Sequence, residues 1–201
     1  MNVSQQVGRK SRLVRSGLKW GFHFFLVLGL IAAGYAGYVV AEAESYQAIE
    51  LRKFTVKPPL ALRHIPTIGE VIGQIEIPRL GIQAIIAQGD TGEVLRHAVG
   101  HIPETTLPGE MGNVGLAGHR DRLFRKLRAV QPGDVVILKT PSETFRFQVE
   151  TTSVVPPANV EVLRSSNRRE LTLITCFPFD FVGSAPNRFV VHARELTTNE
   201  Q

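Results

Sequence analysis

Residues 20–41, WGFHFFLVLGLIAAGYAGYVVA, form an unbroken stretch without Asp, Glu, Lys or Arg. At a rise of ~1.5 Å per residue, a helix of this length spans about 33 Å, which is enough to cross the hydrocarbon core of a bilayer. The sequence AEA at 41–43, with alanine at its first and third positions, resembles a signal-peptidase site, so a cleaved signal peptide is the alternative. Because the apolar region of a signal peptide is usually only ~7–15 residues long, the length of this stretch favours a retained membrane anchor.

Positive charge is concentrated in the first 19 residues, which include five basic residues and no acidic one. The whole chain has 23 basic and 18 acidic residues, so the part after residue 19 has 18 of each. Residues 20–201 therefore have no net charge and lack the basic face that binding to phosphates requires. No nucleic-acid partner is expected. Basic residues beside a membrane span stay in the cytoplasm, which predicts a single-pass membrane protein with its folded part outside the cytoplasm.

The pattern along the chain divides it into five segments. Pro58 and Pro59 must end any helix that continues from the anchor. We therefore expect a basic cytoplasmic tail at 1–19, a transmembrane anchor at 20–41, a stalk and linker at 42–69, a folded domain at 70–196 and a C-terminal tail at 197–201.

The folded domain consists mainly of short apolar or alternating runs that are typical of β-strands. One segment, 92–100, is interpreted as a short helix. The predicted strands lie at 71–80, 82–89, 113–119, 135–139, 144–150, 170–176 and 188–195. About eight short strands with few helices favour a closed or nearly closed β-barrel, because closure removes exposed strand edges.

Cys176, the only cysteine in the chain, ends the apolar run LTLITC. It cannot form an internal disulfide, so it is buried filler, an intermolecular crosslink, a metal ligand or a nucleophile. An unpaired thiol in an oxidising compartment is prone to oxidation, so a chain gains from keeping one there only if the thiol has a function. This consideration favours a chemical role.

A thiol nucleophile needs a basic or cationic neighbour and a group that stabilises an oxyanion. In NVGLAGH (113–119), alternation places His119 on the face opposite Val114 and Leu116, away from the core. Arg188 begins the last strand twelve residues after Cys176, so the two lie side by side if their strands pair. Composition alone leaves open that the cysteine is filler and that the other two side chains are merely solvated.

The stretch TLITC (172–176) matches the T-L-x-T-C signature of sortases, the membrane-anchored cysteine transpeptidases. GNVGLAGHRD resembles the strand that carries their catalytic histidine, and FVGSAPNRFVVHA the segment that carries their catalytic arginine. IEIPRLGIQAIIAQGD, AVGHIP and LPGEMGN are also similar, so the resemblance covers roughly residues 70–195. The short path from cysteine to arginine in TCFPFDFVGSAPNRF looks most like class D.

The resemblance implies an eight-stranded sortase-type β-barrel with short helices, preceded by one transmembrane helix in the bacterial plasma membrane. It assigns Cys176 as nucleophile, His119 as general acid and base, and Arg188 as the group that stabilises the oxyanion and positions the substrate. Thr175 and Ala117 are expected to contact the substrate.

The implied reaction is cleavage of an LPxTG-like sorting motif between Thr and Gly, followed by transfer of the acyl part from a thioester to an amine. The expected partners are surface proteins with such a C-terminal signal, a cell-wall peptide or pilin lysine as acceptor, and the lipid bilayer. No cofactor is expected.

Two other functions share part of this pattern. A thiol hydrolase would use the same triad without transfer, and a non-catalytic anchored barrel would contain an unreactive Cys176. The S-H-G-C type motif of L,D-transpeptidases is absent from the sequence. His97 and His101 could share a metal on one helix, with Glu93 a turn earlier, but Gly100 indicates that the helix is ending, and no metal is expected.

Overall fold

The computed structural model describes residues 3–55 and 65–196. Its first element is a long helix, α1 (Val3–Thr55), which contains the uncharged stretch and continues into the predicted stalk. Residues 23–52 have a mean hydropathy of 2.1 in their most apolar window, and that window is not buried by protein. By length and composition this part of α1 fits a single-pass membrane anchor. The rest of the predicted linker at 56–64 and the tail at 197–201 lie outside the described residues.

The chain divides into two compact units, 1–44 and 45–201. Within the second unit, the described residues 65–196 contain eight strands and a short helix, α2 (Gly92–His97). The strands are β1 (Val71–Ile77), β2 (Ile82–Gln88), β3 (Val99–His101), β4 (Gly112–Ala117), β5 (Val135–Lys139), β6 (Thr144–Val155), β7 (Arg169–Phe177) and β8 (Asn187–Glu195).

The eight strands close into a barrel in the order β1-β2-β3-β4-β7-β8-β6-β5, and β5 pairs with β1 to complete it. The pairs β2–β3 and β4–β7 are parallel, and the other pairs are antiparallel. The predicted β-barrel is therefore confirmed. Closure leaves no open sheet edge, as expected for a domain built from short strands.

Alternate residues of the strands fill the barrel, as the two-residue period of a strand requires. The buried core includes Ile75, Ile77, Val114, Leu116, Phe145, Phe147, Leu171, Leu173, Val191 and Ala193. The residues between these positions point to the outside of the barrel. On β4, β7 and β8, which are neighbours, the outward residues form one continuous face.

Four predicted elements end two or more residues away from their predicted ends. The strand predicted at 71–80 ends at Ile77, because Pro78–Leu80 forms a 3-10 helix, and the strand predicted at 113–119 ends at Ala117. The helix predicted at 92–100 ends at His97, and Val99–His101 is a strand because it pairs with β2 on one side and β4 on the other. The strand predicted to end at Glu150 continues to Val155, because residues 151–155 pair with the first part of β8 after a register shift.

Candidate active site

A cleft of about 330 Å³ lies on the outer face of β4, β7 and β8. Its floor includes Ala117, Ile174 and Val190, which are register neighbours across the three strands. Val190 is fully buried although it lies outside the core cluster, so it is covered by the structures above the sheet. A cleft of this size is in the range that binds small ligands and short peptide segments.

Cys176 and Arg188 line the same cleft. They are directly opposite each other in the antiparallel β7–β8 pair, which confirms the predicted side-by-side placement. Cys176 as a whole is half-buried. The Arg188 guanidinium donates hydrogen bonds to the carbonyl oxygens of Ala185 (3.4 Å), on the loop that leads into β8, and of Asn187 (3.1 Å), the first residue of β8.

His119 also lines the cleft, although it lies two residues beyond the end of β4. The loop that holds it is anchored on both sides. The Gly118 amide donates to the carbonyl oxygen of Ile174 (3.1 Å), and the Phe124 amide donates to the carbonyl oxygen of His119 (3.1 Å). Because Phe124 is fully buried in the core, the backbone on both sides of His119 is held in place.

The remaining two predicted site residues lie at the same place. Ala117 is part of the cleft floor, directly opposite Ile174. The Thr175 side chain is only 2% exposed, and its hydroxyl donates to the carbonyl oxygen of Gly118 (2.7 Å). Thr175 thus connects the strand that carries Cys176 to the loop that carries His119. All five predicted site residues border one cleft.

The loop between Cys176 and Arg188 is bound by arginines that the sequence reasoning did not single out. Arg120, which follows His119, donates from Nη2 to the carbonyl oxygens of Phe181 (2.6 Å) and Gly183 (3.0 Å). Arg128 pairs with Asp180 (2.8 Å), and this hydrogen bond holds the pKa of the Asp180 carboxyl below its usual range. The sequence could have pointed to this contact, because Arg120 directly follows His119.

Residues 156–168, which connect β6 to β7, cover the cleft, and we call them the roof segment. Their cleft-lining side chains are mostly apolar. They are Pro157, Asn159, Val160, Val162 and Leu163. A 3-10 helix, Val160–Leu163, forms the centre of the segment, and the Asn159 side chain caps it by accepting from the amide of Glu161 (3.2 Å). The sequence analysis did not identify this segment.

The two histidines considered as metal ligands are not on one helix. His97 ends α2, whereas His101 lies on β3, is 1% exposed and bonds through Nδ1 to Gln88 Oε1 (2.8 Å). Burial lowers the pKa of His101. Within residues 3–55 and 65–196, no group of three or more His, Cys, Asp or Glu side chains is placed to hold a metal ion.

The geometry agrees with the comparison with known proteins. A family model described as "Sortase domain" matches residues 75–196. Sortase D from Bacillus subtilis (strain 168) is 27% identical over 191 residues, which cover 87% of this chain and 96% of that protein.

Solved structures give the same result. A Sortase D5 transpeptidase from Clostridium perfringens matches with a TM-score of 0.68 at 28% identity, over 76% of this chain and 99% of that one. Sortase E1 from Streptomyces coelicolor, solved with a tripeptide in its active site, matches with a TM-score of 0.58 at 28% identity, over 64% of this chain and 90% of that one. This chain therefore belongs to the sortase family of cysteine transpeptidases, and within it resembles class D.

Proposed function

We propose that the protein is a membrane-anchored transpeptidase that cleaves an LPxTG-like sorting motif between Thr and Gly. It transfers the acyl part to an amine, either of a cell-wall peptide or of a pilin lysine. The observation that supports this proposal most strongly is that Cys176, His119 and Arg188 border one cleft whose other walls are largely apolar. A nucleophile, a proton carrier and a fixed cation are the groups that acyl transfer through a thioester requires.

In the first half of the reaction, the proton is on His119, and the Cys176 thiolate attacks the carbonyl carbon of the substrate threonine and forms a C–S bond. The carbonyl oxygen becomes an oxyanion, and the adjacent Arg188 guanidinium stabilises its charge. When the tetrahedral intermediate collapses, the C–N bond breaks and His119 protonates the departing glycine amine. The product is a thioester on Cys176.

In the second half, the acceptor amine attacks the thioester carbon while His119 removes a proton from it. The same oxyanion forms again beside Arg188. Collapse now breaks the C–S bond, so the acyl group leaves as an amide and Cys176 is regenerated. Neither half needs an oxidant, a metal or another co-reactant.

The walls of the cleft fit the apolar part of such a motif. The floor residues Ala117, Ile174 and Val190 and the side chains of the roof segment enclose a volume suited to a few peptide residues. Leucine and proline side chains would lie between the floor and the roof segment, and the scissile bond would lie at Cys176.

The amine dependence of the product tests this function. We expect the purified protein to cleave an LPxTG-type peptide and, when triglycine is added, to yield the ligated peptide in place of the free acid. The reason is that an amine intercepts the thioester faster than water does at a half-buried cysteine. The measurement is mass spectrometry of the products with and without triglycine. Cleavage that yields only free acid at every triglycine concentration would show a thiol hydrolase instead.

The anchor gives a second prediction. We propose that 20–41 stays in the mature protein, with the N-terminus in the cytoplasm and the barrel outside. In a bacterial host, the full chain should fractionate with membranes and retain its own N-terminal residues, whereas a chain that begins at residue 65 should be free of membranes. Protease added to intact spheroplasts should degrade the barrel. A mature N-terminus near Ala43 or Glu44 in membrane-free fractions would refute the retained anchor.

A further inference from the structure

A buried polar cluster lies below the roof segment, on the same outer face as the cleft floor. Along β7, Cys176, Ile174 and Thr172 follow one another at every second position, so their side chains share this face. Thr172 is opposite His192 in the β7–β8 pair, and Asn113 lies on the neighbouring β4. Thr172 is fully buried and Asn113 is 3% exposed. Polar side chains at such positions require hydrogen-bond partners.

The partners of this cluster are backbone groups of the roof segment. The Thr172 hydroxyl lies 2.9 Å from Asn113 Oδ1 and 3.3 Å from the carbonyl oxygen of Val162. The Asn113 amide nitrogen donates to the carbonyl oxygens of Val162 (3.3 Å) and Arg164 (3.4 Å). Two strands of the barrel are therefore bonded through side chains to the 3-10 helix that covers the cleft.

His192 completes the cluster from β8. Its Nδ1 lies 3.1 Å from the Thr172 hydroxyl. Because that hydroxyl has one proton and its shortest contact is with Asn113 Oδ1, it accepts a hydrogen bond from the Nδ1–H of the imidazole. Burial lowers the pKa of His192, which keeps the ring neutral at neutral pH and compatible with this arrangement.

Packing also restricts the roof segment at this point. A Cβ added to Gly115, which lies on β4 between Asn113 and Ala117, would be 2.9 Å from Leu163 Cδ2. The Leu163 side chain therefore rests directly on the glycine backbone. The Val162 and Leu163 side chains line the cleft, while the Val162 carbonyl is held by the cluster. The position of the cluster thus determines how far these two side chains stand above the floor.

We propose that Asn113 and Thr172, with His192, are positioning residues that set the height of the roof segment and thereby the affinity for the apolar part of the sorting motif. The identity of the ligand in this inference rests on the proposed function. The contact between the cluster and the roof segment is independent of it. The three residues lie outside the set that borders Cys176. Loss of their hydrogen bonds should weaken peptide binding and leave the reactivity of the thiol intact.

The test is a kinetic comparison of Thr172→Val, which has nearly the same shape but no hydroxyl, with the wild-type protein. Loss of a net hydrogen-bond contribution of ordinary size should raise the KM for the peptide about three- to ten-fold at saturating triglycine. The kcat and the rate of Cys176 alkylation by iodoacetamide should stay within about twofold of wild type, since only peptide binding is weakened. Thr172→Ser should restore the wild-type KM. Thr144→Val, at the exposed far end of β6, is the matched control and should change nothing.

Hydrogen–deuterium exchange separates a failure of this inference from a failure of the proposed function. In Thr172→Val, and also in Asn113→Ala if the valine variant does not fold, amides 159–164 should exchange faster than in Thr144→Val, with or without peptide. Unchanged exchange there, or a peptide KM unchanged in a folded variant, would overturn the positioning role. If the wild-type protein does not process the peptide, the proposed function fails, while the exchange result still decides whether the cluster holds the roof segment.

Discussion

Replacing Cys176 with alanine is expected to remove both cleavage and transfer, leaving no product above the uncatalysed background. The chain contains no other cysteine, so no second residue can form the thioester. The fold should survive, because Cys176 is half-buried on the outer face of β7 and lies outside the core cluster. The measurement is product formation from an LPxTG-type peptide with triglycine, together with a circular dichroism spectrum and a thermal melt of the variant.

Two comparisons make this result interpretable. Thr144→Val should keep full activity, which shows that purification and assay conditions are sound. Cys176→Ser keeps a hydroxyl group at the same position, but a hydroxyl is far less acidic and a weaker nucleophile than a thiol, so this variant too should be inactive. A folded Cys176→Ala protein that still ligated the peptide would contradict the assignment of the nucleophile.

Replacing Arg188 with lysine should lower kcat/KM by about 10²–10³, the usual cost of losing one oxyanion donor. Lysine keeps the positive charge but replaces a planar fork of donors with a single flexible ammonium group. Arg188 is held opposite Cys176 by the β7–β8 pairing and by its bonds to the carbonyls of Ala185 and Asn187. Lysine cannot reproduce this set of contacts and also point at the oxyanion.

Arg194→Lys is the matched control for this change. Arg194 lies on the same strand, six residues further, and makes a surface ion pair with Glu150 (2.9 Å). Surface pairs of this kind contribute little, so the variant should be fully active and about as stable as wild type. If Arg188→Lys retained most of its activity, charge alone would suffice, and the role of the guanidinium as an oriented donor would have to be abandoned.

The barrel was largely predictable from the sequence because its strands carry a strong two-residue period. Residues 144–150 alternate cleanly between exposed and buried positions, and their strand begins where the pattern placed it. Segment 92–100 was mistaken for a continuous helix because the long-range partners of β3 are not visible in the local pattern. Gly100 illustrates the point: a Cβ there would lie 2.3 Å from the Gly89 carbonyl oxygen, a close approach that only the folded barrel explains.

The site was predictable only in part. The twelve-residue spacing between Cys176 and Arg188 allowed their pairing to be anticipated, since a strand end, a loop and a strand start fill that interval. The roof segment was not anticipated, because PANVEVLRSSNR carries neither a clear period nor a reactive residue. The sequence indicated this cluster only through Asn113 and Thr172, two polar residues within the apolar parts of their strands. Their partners are backbone carbonyls, which the sequence does not reveal.

The thioester itself is the intermediate on which the proposed function depends. Wild-type protein should be mixed with an LPxTG-type peptide in the absence of an amine, quenched in acid and examined as the intact protein by mass spectrometry. We expect a mass increase equal to the acyl part of the peptide up to threonine, located on Cys176 by proteolytic mapping and removed when triglycine is added before the quench. Peptide turnover without any adduct on Cys176, or an adduct on Cys176 that triglycine does not discharge, would contradict transfer through this cysteine.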